Sequence, residues 1–248
     1  GVGCFVDTCR ECDICQNGLD QYCSGHIAFT YNSHEADLTT PTYGGYAQSI
    51  VVDEKYTLRI PEKLRLDVAA PLLFAGITLY SPLRHWQVAA GMRVGIVGLG
   101  GLGHMGVKLA RALGAEVTLI SHSEHKKGDA LALGADHFLL SSDREQMKAA
   151  IKSLDLIINT VSVPLDIDSY LALLKSSGTM VMVGLPDKPL SINAFSLVSE
   201  RRALAGSSIG SIEETQEMLE FCAEHGLGSD IEVIGADEFN AGYERVII

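Results

Sequence analysis

The sequence is short of positive charge. Lys and Arg total 19 against 31 Asp and Glu, a formal net charge of −12. A chain this acidic repels phosphate backbones, which argues against a general nucleic-acid or anionic-membrane role. Charged residues as a whole make up only 20% and hydrophobic residues 47%, so the chain is not of the disordered class. No apolar run is long enough to span a bilayer. The most apolar stretch, Val94 to Ala110, is interrupted by glycines and carries His104 and Lys108. Internal repeats, low-complexity tracts and a secretory leader pattern are also lacking. The Ser, His and Asp residues show no local arrangement that would support a serine hydrolase. A cytoplasmic location is expected. The chain begins at Gly1 within a continuing pattern and stops abruptly at Ile248, so both natural termini are expected to lie outside it.

Cysteine is rare except in one place. Cys9, Cys12, Cys15 and Cys23 fall within fifteen residues, while Cys4 and Cys222 stand apart. A chain of 248 residues needs no disulfide framework, and clustered cysteines in a reducing compartment point to metal. Four thiolates make a closed tetrahedral zinc site with no open position for substrate, so the site reads as structural. A disulfide pair and a zinc-ribbon interaction module are the competing readings. Cys4 and Cys222 read as small apolar residues of the core.

The first forty residues read as loop. Short strands are expected at Ser49 to Val52 and at Thr57-Leu58, then a helical stretch from Ala69 to Trp86 with Pro82 as a kink. From Arg93 onward strands and helices alternate. Strands are expected at 93–97, 116–120, 137–140, 154–159 and 179–183, and helices at 102–113, 124–133, 144–151 and 165–174. That alternation predicts an α/β fold with a parallel sheet covered on both faces. A helix at 213–225, a strand at 231–234 and a last helical piece complete the pattern.

Gly98-Leu99-Gly100-Gly101-Leu102-Gly103 matches G-x-G-x-x-G, and it follows a buried strand and opens a helix. In that context it predicts a dinucleotide site. Gly98 serves the tight turn, Gly100 the approach of a pyrophosphate, and Gly103 the packing of helix on sheet. The helix N-terminus offers free N–H groups to the phosphates. The next strand ends at Ser121-His122-Ser123-Glu124-His125-Lys126-Lys127. Hydroxyls and lysines there suit a 2′-phosphate, which favours NADP. Glu124 lies near the offset where an acidic residue would grip a ribose 2′-hydroxyl, which would favour NAD.

These features together resemble the zinc-dependent medium-chain alcohol dehydrogenases, especially the cinnamyl-alcohol-dehydrogenase branch with its bacterial NADP-dependent aldehyde reductases. The resemblance is carried by Gly1-Val2-Gly3, the cysteine cluster, Gly44-Gly45-Tyr46, Ala70-Pro71-Leu72-Leu73 and Ala75-Gly76-Ile77-Thr78. It continues through Tyr80-Ser81-Pro82-Leu83, the glycine loop, Gly206-Ser207 and Glu214-Thr215-Gln216-Glu217-Met218-Leu219. It implies a Rossmann domain at 77–210. It also implies a remnant of a mainly β, GroES-like catalytic domain at 1–76, with a return segment at 211–248. Cys9, Cys12, Cys15 and Cys23 would hold structural zinc. Gly98, Gly100, Gly101, Leu102 and Gly103 would hold the pyrophosphate, and Ser121, Ser123 and Lys126 the 2′-phosphate. Thr78, Asn159, Thr160, Val161, Val183 and Gly184 would lie near the nicotinamide, with Ser207 and Ile209 closing the pocket.

The family transfers hydride between NADP(H) and a primary alcohol or aldehyde at a catalytic zinc. Its early zinc ligands and proton relay would lie before Gly1. The one ligand expected within the chain is a cysteine at the position of Phe74, and phenylalanine offers no lone pair. No catalytic residue is therefore assigned, and a catalytic zinc is expected only in the complete parent. A catalytically impaired dinucleotide-binding relative is the alternative. His26, His34, His85, His104 and His122 are expected to be solvated or packed rather than substitute ligands. A homodimer is expected, with 190–194 as an edge strand between copies.

Overall fold

Short segments come first because the early sequence is rich in turn formers. The computed structural model describes residues 1–247, with β1 (Phe5–Asp7), α1 (Asp13–Gln16), β2 (Ala28–Phe29), β3 (Tyr31–His34), β4 (Pro41–Tyr43) and α2 (Leu66–Ala69) in the first seventy. Two antiparallel pairs, β1 with β2 and β3 with β4, replace the loop expected there. α3 (Ala75–His85) follows a single 3₁₀ turn and runs through Pro82.

The alternation then unfolds as β5 (Arg93–Val97), α4 (Gly101–Ala112), β6 (Glu116–Ser121), α5 (Lys127–Ala132), β7 (His137–Leu140) and α6 (Arg144–Ala149). It continues with β8 (Leu154–Asn159), α7 (Ile167–Leu173), β9 (Leu174–Met182), α8 (Ala194–Val198), β10 (Ala203–Gly206), α9 (Ile212–His225) and α10 (Phe239–Ile247). The sheet has six strands in the order β10-β9-β8-β5-β6-β7, and every pairing is parallel. This is the doubly wound order, with the reversal of direction between β5 and β8. Strands covered on both faces must be apolar throughout, and Val94, Ile96, Val117, Leu119, Leu156 and Ile158 are all essentially fully buried.

The same core takes in α3 and α9. Ile77, Leu79 and Leu83 share a cluster with Met218, Leu219 and Cys222. α9 begins in a reciprocal cap. Ser211 Oγ accepts from Glu214 N–H at 3.1 Å and Glu214 accepts from Ser211 N–H at 3.0 Å. It ends on Gly226 in the left-handed region. No single helix among the described residues is long and apolar enough to cross a membrane.

Four strand expectations fail. Residues 49–52 and 231–234 form no strand and find no pairing partner among the described residues, and Val51 is 98% exposed. Thr57 makes only an isolated bridge to Val2. In the segment 190–194 no strand forms; residues 190–193 are a loop and Ala194 opens α8, because Asn193 caps that helix by accepting from Phe195 N–H. The edge strands of the sheet are β10 and β7.

Candidate functional site

Ligands of doubly wound sheets bind at the carboxyl ends of the strands, beside the switch point. A cleft of about 750 Å³ opens there. Its floor is the turn after β5. Gly98 has φ +92°, and its N–H donates to Ile120 O at 2.9 Å, which ties the turn to β6. A Cβ on Gly98 would lie 2.4 Å from Val161 Cγ1. Gly103 packs against this turn so closely that a Cβ would lie 2.0 Å from Gly98 O. Gly100 and Gly101 are open, with nothing within 4 Å of the place a Cβ would occupy. No side chain caps the start of α4, so its first-turn N–H groups have no side-chain acceptor.

The far wall comes from the loop after β8. Thr160 Oγ1 donates to Val97 O at 2.7 Å, which pins that loop across the switch point. Buried Asn159 donates from Nδ2 to Val161 O and accepts Val161 N–H, both at 3.3 Å. At the end of β6 the wall carries Ser121, His122, Ser123 and Lys126. Ser121 Oγ accepts from Ser123 N–H at 3.2 Å, which draws the strand end into a turn. Among the described residues, Lys126 is the single ammonium on the wall, and no carboxylate lines it. Glu124 starts a 3₁₀ turn and lies off the wall.

The residues singled out from sequence thus divide. Gly98, Gly100, Gly101, Leu102, Ser121, Ser123, Lys126, Thr160 and Val161 line the cleft. Gly103 and Asn159 support it from behind. Val183 and Gly184 both donate their N–H to Asn159 O at 3.0 Å, and Ser207 N–H donates to Met182 O at 3.0 Å, so these stand along the same strand-end rim. Thr78 is buried in α3, its hydroxyl donating to Phe74 O at 2.7 Å. Ile209 is buried beside Cys4, Phe5 and Tyr56. Sequence reasoning missed Ser141 and Ser162. Ser141 directly follows β7, the parallel neighbour of β6, which was the available signal.

The thiol lobe lies around α1. The sulfurs of Cys9, Cys12, Cys15 and Cys23 all fall within 4.8 Å of one another. Cys9 to Cys15 and Cys12 to Cys23 are each 4.0 Å, far beyond a disulfide bond. A tetrahedral zinc with Zn–S of about 2.3 Å sets sulfurs about 3.8 Å apart, so the set fits that ion. Backbone N–H groups aim at the sulfurs, from Cys12 to Cys9 at 3.4 Å and from Gly25 to Cys23 at 3.3 Å. The N–H of Cys15 and the neighbouring Ser24 bring the Cys12 thiol down to about 5, and backbone N–H groups of Cys12 and Glu11 lower Cys9. Burial pushes Cys15 up to about 12, a bias that a bound dication reverses. Arg10 anchors the lobe, 2.8 Å from Asp7 and 2.9 Å from Asp53 and over the ring of Tyr56. Cys4 donates to Leu73 O and Cys222 is fully buried, as small core residues. Phe74 stands at the junction before α3, about half exposed.

Residues 101–224, half the chain, match the family model for zinc-binding dehydrogenases. An NADP-dependent alcohol dehydrogenase C of Mycobacterium tuberculosis is 57% identical over 247 residues, covering 100% of this chain and 71% of that protein. The chain belongs to the zinc-binding dehydrogenase family. Among solved structures, a cinnamyl alcohol dehydrogenase of Sorghum bicolor superposes with a TM-score of 0.97 at 46% identity, covering 100% of this chain and 70% of that one. A cinnamyl alcohol dehydrogenase of Helicobacter pylori, complexed with NADP(H), gives 0.91 at 39% identity, covering 100% and 71%. The Rossmann-like α/β architecture of this zinc-binding dehydrogenase is shared with both. The chain spans about seven-tenths of the length of these dehydrogenases.

Proposed function

We propose that this chain is the dinucleotide-binding and thiol-lobe part of an NADP-dependent alcohol dehydrogenase, which acts equally as an aldehyde reductase. The observation that carries the cofactor choice is the end of β6. Hydroxyls and one ammonium line the cleft there, and no carboxylate does among the described residues. A ribose 2′-phosphate gains charge-assisted hydrogen bonds from Lys126, Ser121 and Ser123, whereas a free 2′-hydroxyl finds no acidic partner. Gly98 to Gly103 hold the pyrophosphate against the start of α4. The strand-end rim of Asn159, Thr160, Val161, Val183, Gly184 and Ser207 orients the nicotinamide, with Thr78 and Ile209 behind it. When bound, NADP(H) supplies or accepts the hydride, and the chain positions it. Cys9, Cys12, Cys15 and Cys23 hold zinc as a closed structural site. A division at 77 and 210, a cytoplasmic location and a homodimer belong to the same reading.

Titrating NADPH and NADH against the protein's fluorescence tests it. NADPH should bind at least tenfold tighter, and Lys126→Ala should weaken NADPH about tenfold, on the order of 1.4 kcal/mol, while barely moving NADH. Equal affinities would overturn the NADP assignment. Phe74 favours a second reading, a dinucleotide-binding relative with impaired catalysis, because its ring cannot ligate metal. Phe74→Cys in a chain extended to carry the family's remaining ligands should restore turnover under the first reading and leave it unchanged under the second.

A further inference from the structure

Two contacts between the N-terminal part of the chain and the Rossmann half converge on one loop. Residues 207–210 leave the carboxyl end of β10, on the edge of a parallel sheet where ligands bind. Within that loop Ile209 has φ +38°, in the left-handed region. A β-branched residue holds such a conformation only where its surroundings over-determine it.

Those surroundings come from the lobe. Tyr22 precedes Cys23, and its hydroxyl accepts the N–H of Ser208 at 3.1 Å, across 186 residues of sequence. Ile209 sits in a small core with Cys4, Phe5 and Tyr56. The Tyr56 hydroxyl accepts the N–H of Thr8 at 3.0 Å and pairs with Thr8 Oγ1 at 2.9 Å. Thr8 Oγ1 in turn lies 3.5 Å from Cys15 Sγ. A third contact secures the helix that follows. Gln21, 6% exposed, donates to Glu214 Oε2 at 3.4 Å, and the same oxygen caps α9.

We infer that the thiol lobe is a clamp on the 207–210 loop, with Tyr22 and Tyr56 as positioning residues that couple metal occupancy of the four thiols to the redox end of the cleft. This rests on the reading above, in which Ser207 stands at the nicotinamide with Ile209 behind it and the thiols hold zinc. The coupling is physical rather than catalytic. Neither tyrosine needs to touch the cofactor. Each fixes a backbone that otherwise relaxes out of a strained turn.

The test uses the zinc-loaded chain and its Tyr22→Phe and Tyr56→Phe variants. Both substitutions keep the ring and remove one hydroxyl. Zinc content is measured with a chromogenic chelator, loop opening by amide hydrogen exchange of the 205–212 peptide, and cofactor affinity by NADPH titration. Both variants should retain one zinc per chain. Exchange in 205–212 should accelerate at least tenfold, more for Tyr22→Phe, while the peptides of β5 and β6 are unchanged. NADPH Kd should rise several-fold. Removing zinc from the unsubstituted chain should open the same peptide. Unchanged exchange in both variants overturns the clamp. Faster exchange with an unchanged NADPH Kd overturns the coupling to the redox end. If the unsubstituted chain binds no NADPH, the functional reading fails, and exchange still decides the clamp.

Discussion

The sheet is built on apolar burial, whereas the thiol lobe gathers four sulfurs with little apolar core of its own. Between Cys9 and Cys23 the buried residues are Cys15, Asp20, Gln21 and Cys23, with no aliphatic side chain among them. The strands of the sheet are the opposite case, with Val94, Ile96, Val117 and Leu119 each fully buried. On the reading proposed above, in which the four thiols hold zinc, one chain is held together in two ways. Apolar burial depends on temperature and solvent, whereas a cross-linked lobe depends on metal concentration and on the ionisation of its thiols. The two regions should respond to different perturbations, and the contrast can be broken or sharpened by choosing them.

The largest effect is expected on the side of the sheet. Gly103→Ala places a methyl 2.0 Å from Gly98 O, a backbone atom that cannot rotate away. A loss of more than about 3 kcal/mol is expected, read as a fall in the urea midpoint with m unchanged. It should be the same with and without zinc. A midpoint close to the parent's would show that α4 can draw back from the turn.

Cys12→Ser should act only through the lobe. It removes one of four ligands, so the dependence of thermal unfolding on added zinc should vanish. That dependence is worth about 2.7 kcal/mol when zinc stands at a hundred times its Kd. Hydrogen exchange should quicken in the first thirty residues and in 205–212, and leave β5, β6 and β8 protected. Loss of protection throughout the sheet would mean that the two regions are one cooperative unit.

Ser211→Ala is the smallest change and probes the boundary. It removes the acceptor of Glu214 N–H at the start of α9, and about 1 kcal/mol should be lost. Because Glu214 also takes the bond from Gln21, the loss should be smaller in Gln21→Ala than in the parent. Thermal unfolding of the four combinations measures the difference.

The parts of the molecule written in local chemistry are legible in the amino-acid sequence itself. Buried strands stand out as apolar runs, so 93–97, 137–140 and 154–159 fall at the residues expected. The glycine turn and the cysteine spacing are likewise local. What depends on a distant partner is not legible. The β-branched segment 231–234 has strand propensity, but pairing needs a neighbour, and none stands beside it among the described residues. At 190–194 the residue that decides is Asn193, whose side chain caps a helix rather than extending a strand. Strand β9 begins at Leu174 rather than Thr179, because Leu174 already pairs with Leu154 before the register shifts. The competition between Glu124 and Lys126 turns on which way a short 3₁₀ turn rotates each side chain, and spacing alone does not reveal that. Thr78 shows the same limit, since its hydroxyl is taken by its own helix.

The order of the strands also bears on how the chain acquires its shape. β5 lies at the centre of the sheet, yet its neighbour on one side is β6 and on the other is β8, with Val94 opposite Leu156. The thiols of Cys9 and Cys23 are only 14 positions apart. Closing a short loop is faster than bringing distant segments together, and parallel sheets are slow for that reason. On a chain made from its amino end, the thiol knot can close while the sheet is still waiting for β8 to be synthesised. The late arrival of β8 beside β5, not the closing of the thiol lobe, then sets the pace at which the cleft comes into being.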